Sequence, residues 1–234
     1  MSIAENVASV RVRVAEASRR AGRRPEEIAL MAVSKTHPPE HVREAHAAGL
    51  RLFGENRVQE FAAKAAALAD LAAADWHMIG HLQTNKAGKA AELFCAVDSV
   101  DSVKLAEKLD AAARSLSKKL SVLIEINVGG ESAKSGVAPD SRELEELLLA
   151  APRLEALKVL GLMTVPPFTD DPEEARRYFR KLRQLRDTIA ARRLPAAQMN
   201  MLSMGMSHDF QVAIEEGSTC VRVGTAIFGN RTRV

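Results

Sequence analysis

The feature that most constrains the fold is a repeated alternation. Short apolar runs of strand length, each followed by apolar residues at helical spacing, recur eight times along 234 residues. A leading segment precedes the first run. Ser2-Ile3-Ala4-Glu5 has the form of a capping box, and Val7, Val10 and Val14 then share one helical face up to Gly22. After Pro25 the run over 28–33 is continuous and apolar, the pattern of a parallel strand covered on both faces. Further strands are predicted over 51–53, 76–79 and 94–97, with helices over 38–48, from about 56 to 68 and from Gln83. The second half continues in the same way. A helix carries Val103, Leu105, Leu109 and Leu116, and strands follow over 121–127, 158–162, 199–202 and 220–223. Between them, helices start near Pro139, at Asp171-Pro172 and at Ser207, the second burying Ala175, Tyr178, Phe179, Leu182, Leu185 and Ile189.

Strand-helix units in this number, within one domain spanning 1–234, point to a single (β/α)₈ TIM-type barrel with an additional N-terminal helix. A doubly wound open sheet is the alternative. Apolar residues at 47% and charged residues at 27% are ordinary for a soluble globular chain. The net charge of +3 is spread over helix surfaces, and aromatics are only 4%, too few for base-stacking platforms, so nucleic acid is not expected as a partner. Cys95 and Cys220 lie far apart in apolar runs that read as buried strands, with neither a disulfide frame nor a metal motif around them. The absence of a secretory signal or an 18-residue apolar span predicts a cytoplasmic protein without a membrane partner.

In a barrel of this kind reacting groups collect where strands end and helices have yet to begin. Those points carry Ser34-Lys35-Thr36, Gly54-Glu55-Asn56, Gly80-His81-Leu82-Gln83, Asn127, Met163-Thr164, the stretch 203–207 and Gly224-Thr225. Loops after the seventh and eighth strands commonly cradle phosphate, and Ser203, Gly205, Ser207, Gly224 and Thr225 suit that work. The alternative is that the two glycines only close tight turns. Lys35, at the edge of an apolar run, is placed for partial desolvation and hence for a nucleophilic amine that forms an imine with an aldehyde; the alternative is a solvated lysine capping a strand. Arg222 falls inside an apolar strand and needs an anion or acceptor, either a pyridine nitrogen or a structural salt bridge. His37 and His41, expected to face solvent, and His77 and His81 bring no third ligand at suitable spacing, so metal is not expected. Met201, Met204 and Met206 read as barrel filling and pocket wall.

Taken together, AVSKT, FGENRVQE, WHMIGHLQTNK, INVGGESAKSG, GLMTVPP, LSMGMSHD and GSTCVRVGTAIFG closely resemble the pyridoxal phosphate homeostasis protein family, related in fold to the barrel half of alanine racemases. The resemblance runs from Lys35 to Gly229. It implies a barrel that binds pyridoxal 5'-phosphate, serves intracellular vitamin B6 balance and has no established catalytic activity, with recipient apo-enzymes as candidate partners. By motif it implies the imine at Lys35, Asn56 near the ring, Ser203, Ser207, Gly224 and Thr225 at the phosphate, and Arg222 at the pyridine nitrogen.

A low-efficiency amino-acid racemase or lyase is the alternative function. Racemisation needs an acid and a base on opposite faces of the substrate carbon. The one tyrosine, Tyr178, falls on an outer helix, and no second β domain is read in the sequence. An arginine at the ring nitrogen would also weaken the electron sink that carbanion chemistry needs. Cofactor holding is the expected role.

Overall fold

In the computed structural model, which describes residues 1–131 and 134–229, eight parallel strands pair in sequence order and the last pairs with the first. They are β1 (Ala29–Val33), β2 (Leu52–Glu55), β3 (Asp75–Met78), β4 (Ala96–Val100), β5 (Leu120–Glu125), β6 (Leu157–Met163), β7 (Ala197–Met206) and β8 (Cys220–Val223). The outer layer is α1 (Ile3–Arg20), α2 (Pro39–Ala47), α3 (Val58–Ala65), α4 (Ala87–Leu93), α5 (Val103–Ser115), α6 (Arg142–Ala150), α7 (Arg176–Ala191), α8 (Phe210–Glu215) and α9 (Thr225–Phe228). This is the closed barrel with a leading helix, and not the open sheet.

Most of the apolar core lies between strands and helices. Phe53 of β2 stacks on Trp76 of β3 at 4.9 Å, and Phe61 of α3 meets both Trp76 and Phe94. Complete burial of an aromatic ring such as Phe53 is worth roughly 1.5–3 kcal/mol, so this cluster fixes α3 on the strands beneath it. The expected capping box is present on α1, where Ser2 and Glu5 exchange side-chain to backbone bonds, and Val7, Val10 and Val14 are buried. That helix packs across α8 and α9, with Asn6 donating to the Ile227 carbonyl at 2.9 Å. Among the described residues no helix is long and apolar enough to cross a membrane.

The second strand runs two residues past its expected end, so that Gly54 and Glu55 lie within it, and the fifth ends two residues early at Glu125. The fourth and seventh depart further. The fourth begins two residues later than predicted and extends to Val100, so that Asp98 and Ser99 are buried strand residues. Phe94 ends α4 instead, and Cys95 is a half-buried bend residue outside the strand. The seventh runs four residues past its predicted end, which makes Ser203, Met204 and Gly205 part of the sheet. Gly205 is accounted for by this geometry. Its φ is +94°, and a Cβ there would sit 2.9 Å from Phe210 Cα, so only glycine lets α8 lie this close. Tight packing of α8 against β7 explains that residue.

Candidate functional site

The strand ends open into a cavity of about 340 Å³. Lys35 and His37 reach it from the loop after β1, Asn56 from the loop after β2, and Arg222, Gly224 and Thr225 from the end of β8. Met206, Ser207 and His208 close the side formed by β7, and Ile79, Val165 and Phe168 supply apolar wall. Six of the seven residues singled out from sequence therefore line one cavity. Ser203 does not, and is wholly buried in β7.

The reason for that departure is Arg222. Only 3% exposed, its guanidinium donates at 2.7 Å to Ser203 Oγ and at 2.7 Å to the Thr164 carbonyl at the end of β6. Burial lowers its basicity, while the nearby carboxylates of Asp98, Glu125 and Asp209 act in the opposite direction. A buried cation balanced by acids and aimed by two acceptors has a fixed position, so what it presents to the cavity is a preoriented donor. Ser203 aims Arg222.

Ser207 occupies a different position. Its Oγ accepts from the backbone amides of Gly224 at 3.1 Å and Ala226 at 3.2 Å, which ties the end of β7 to the turn after β8. Asp209 accepts from the Met206 amide at 2.6 Å and so fixes the turn that carries Ser207. The outcome is a polar corner of hydroxyls and backbone N–H groups contributed by two neighbouring strands, suited to an anion.

Asn56 is held from below. A Cβ on Gly80, just past β3, would overlap the Asn56 carbonyl, so the glycine is what allows the two loops to touch. Asn56 Oδ1 is buried with no partner among the described residues. An unsatisfied buried acceptor costs on the order of 1–3 kcal/mol, and it belongs to a residue that lines the cavity.

Several residues of the site escaped sequence reading. His37, expected in solvent, lines the cavity and stacks on Phe228 of α9 at 4.6 Å. Val165 and Phe168 are exposed apolar residues on the loop after β6, where Pro166-Pro167 was the available signal of a fixed, extended segment. Inside the barrel, burial opposes charge on His77, yet the Asp98 carboxylate at 3.1 Å raises its imidazole well above the ordinary value. Burial also pushes Glu125 up to about 7, with Asp101 adding to the rise and Arg222 opposing it.

Residues 6–232 match the family described as the alanine racemase, N-terminal domain. A protein of Aquifex aeolicus (strain VF5) named pyridoxal phosphate homeostasis protein is 47% identical over 232 residues, which is 99% of this chain and 99% of its own. This chain belongs to the pyridoxal phosphate homeostasis protein family. Other relatives of that name come from Pseudomonas aeruginosa, 45% identical with 98% of this chain and 96% of theirs covered, and Escherichia coli (strain K12), 42% identical with 98% and 97% covered. Among solved structures, PipY of Synechococcus elongatus PCC7942 with pyridoxal phosphate bound is similar with a TM-score of 0.84 and 38% identity, covering 97% of this chain and all of PipY. Alanine racemase from Streptomyces coelicolor A3(2) is similar at a TM-score of 0.70 and 23% identity, covering 96% of this chain and 58% of the racemase. That last likeness is one of fold.

Proposed function

We propose that this member of the homeostasis protein family binds pyridoxal 5'-phosphate at the mouth of its barrel, holds the aldehyde as an imine on Lys35, and serves intracellular vitamin B6 balance. The observation that carries the reading is the convergence of Lys35, Asn56, Ser207, Arg222, Gly224 and Thr225 on one cavity. When bound, the cofactor supplies an aldehyde, a phosphate and a pyridine ring, and the cavity offers a group for each. Nζ of Lys35 bonds to the aldehyde carbon, the oxygen leaving as water with both amine hydrogens. Ser207, Gly224 and Thr225 take the phosphate, and Arg222 is the donor for the ring nitrogen. The pyridoxal phosphate bound by PipY and the name shared by the relatives support the choice of cofactor.

Holding the cofactor, for storage or delivery to recipient apo-enzymes, suits these residues better than turnover. Arg222 is a guanidinium, far more basic than a pyridine nitrogen even with burial lowering its basicity, so it has little tendency to hand a proton to the ring. The test is a spectrum and a map. Mixed with pyridoxal 5'-phosphate, the purified protein should acquire the absorbance of an imine, and borohydride should fix the cofactor on Lys35. A reduced adduct found by mass spectrometry on Lys64, Lys86 or another lysine would overturn the reading.

A further inference from the structure

Lys35 lies on a short turn between β1 and α2 that is held from outside. Within it, the His37 amide donates to the Ser34 carbonyl at 3.2 Å, and Thr36 adopts a φ of +64°, a left-handed conformation that a β-branched residue keeps only under constraint. The constraint comes from β2 and α3. Lys64 of α3, its side chain 9% exposed, reaches the Ser34 carbonyl at 2.9 Å, the His37 carbonyl at 3.4 Å and Glu55 at 2.7 Å. Ser34 Oγ donates to the same Glu55 oxygen at 2.6 Å, and the Thr36 amide donates to Glu60. One ammonium thus bonds to the carbonyls on both sides of Lys35-Thr36, with a wholly buried carboxylate behind it.

We propose that Lys64, with Glu55 and Glu60, is a positioning group that clamps this turn so that the Lys35 amine is presented to the cavity. The inference deepens the assignment of Lys35 as the attachment point and rests on it. A buried lysine-glutamate pair is an inefficient way to stabilise a fold, since desolvating both ions offsets most of their attraction and an apolar pair would fill the same space. What an apolar pair cannot do is donate to two carbonyls and a carboxylate at once, and an ammonium with three N–H donors does that. The two acids divide the work. Glu55 neutralises Lys64 and orients Ser34 from within the barrel wall, while Glu60, nearer the surface, holds the strained Thr36 amide and lies 3.7 Å from Lys64. Placement within a fraction of an ångström governs how often a nucleophile meets its carbonyl carbon, so a clamp of this kind acts on the rate of covalent capture and not on the affinity of the phosphate corner.

The full chain is compared with Lys64→Met, Lys64→Arg and Glu60→Gln in three measurements. The first is binding of pyridoxine 5'-phosphate, an alcohol that offers the same phosphate and ring but cannot bond to lysine. The second is the rate at which pyridoxal 5'-phosphate becomes fixable by borohydride on Lys35, and the third is amide exchange of residues 34–37 without ligand. Lys64→Met should slow capture by about tenfold or more while changing pyridoxine 5'-phosphate affinity by less than about twofold, and should speed exchange at Thr36 and His37. Lys64→Arg, which keeps several donors, should recover part of the rate, and Glu60→Gln should slow capture by about threefold. Unchanged capture in Lys64→Met and Glu60→Gln would overturn the proposal. If Lys64→Met does not fold, Glu60→Gln and Lys64→Arg decide it, unchanged capture and exchange in both being the negative result. Attachment of the cofactor to another lysine in the unsubstituted protein would instead refute the Lys35 assignment, and the ligand-free exchange would still report whether Lys64 holds the turn.

Discussion

Arg222 of β8 donates to the hydroxyl of Ser203 of β7 at 2.7 Å, both side chains lying buried beside the cavity. This bond makes Ser203 a support for Arg222, the donor proposed for the ring nitrogen. Replacing Arg222 with Met should destabilise the cofactor-free protein by about 3–5 kcal/mol, because Asp98, Glu125 and Asp209 lose their shared counter-charge. Ser203→Ala should cost about 1–2 kcal/mol in urea unfolding, the loss of one bond to a charged group. An Arg222→Met protein as stable as its parent would show that the acids are neutralised in some other way.

At the corner proposed to hold the phosphate, Ser207→Ala and Thr225→Val each remove a hydroxyl and keep the backbone donors. Affinity for pyridoxal 5'-phosphate, read by equilibrium dialysis, should fall by about 1–2 kcal/mol in each. Ser207→Ala should have the larger effect, since its Oγ also joins Gly224 and Ala226 to the end of β7. Equal affinity in both variants and the parent would move the phosphate elsewhere.

Glu125 gives the protein a pH dependence of predictable sign. Its carboxyl is raised from 4.5 to about 7 in the fold, so it binds its proton more tightly folded than unfolded. Stability from this group is complete below about pH 4.5, declines as pH rises through 7, and is then lower by roughly 3 kcal/mol at most. Glu125→Gln is neutral throughout. It should stabilise the protein at pH 8 and leave it nearly unchanged at pH 4 in urea titrations. A gain of the same size at both pH values would show that the carboxyl titrates normally.

Alanine racemisation should not reach the roughly 1–1000 per second typical of enzymes. Tyr178, the sequence's one tyrosine, is half-buried on α7, where Arg177 stacks over its ring at 4.7 Å and donates to its hydroxyl at 2.9 Å. It takes no part in lining the cavity. Sustained racemase turnover by the pure protein would reverse the ranking of holding over catalysis.

The barrel was legible because a parallel strand covered on both faces reads as an unbroken apolar run, as in β1 and β8, whose predicted positions agree with the structure to within one residue. Legibility failed where polar residues enter strands. Asp98 in β4 and Ser203 with Gly205 in β7 have the composition of loops, and only the partners His77 and Arg222, brought from other strands, make them strand residues. Lys35, Asn56, Ser207, Gly224 and Thr225 were found by position at strand ends, and Arg222 as a charge inside an apolar strand. The clamp proposed for Lys35 was not, since Lys64 looks like an ordinary surface charge until α3 folds over the turn and buries it, and the strand-end position of Glu55 gives no sign of that partner. His37 was missed for a similar reason, its wall position depending on Phe228, which lies almost at the other end of the described chain.

The seam between β8 and β1 has a consequence for synthesis on the ribosome. The lysine emerges early, and the strand that brings Arg222, Gly224 and Thr225 emerges last, so until then the growing sheet has two unpaired edges that invite misassociation. Under the proposed binding mode, cofactor present during translation would engage the polar corner only after the ring has shut, and by mass action would draw nascent chains toward the shut form, coupling vitamin supply to the yield of folded protein.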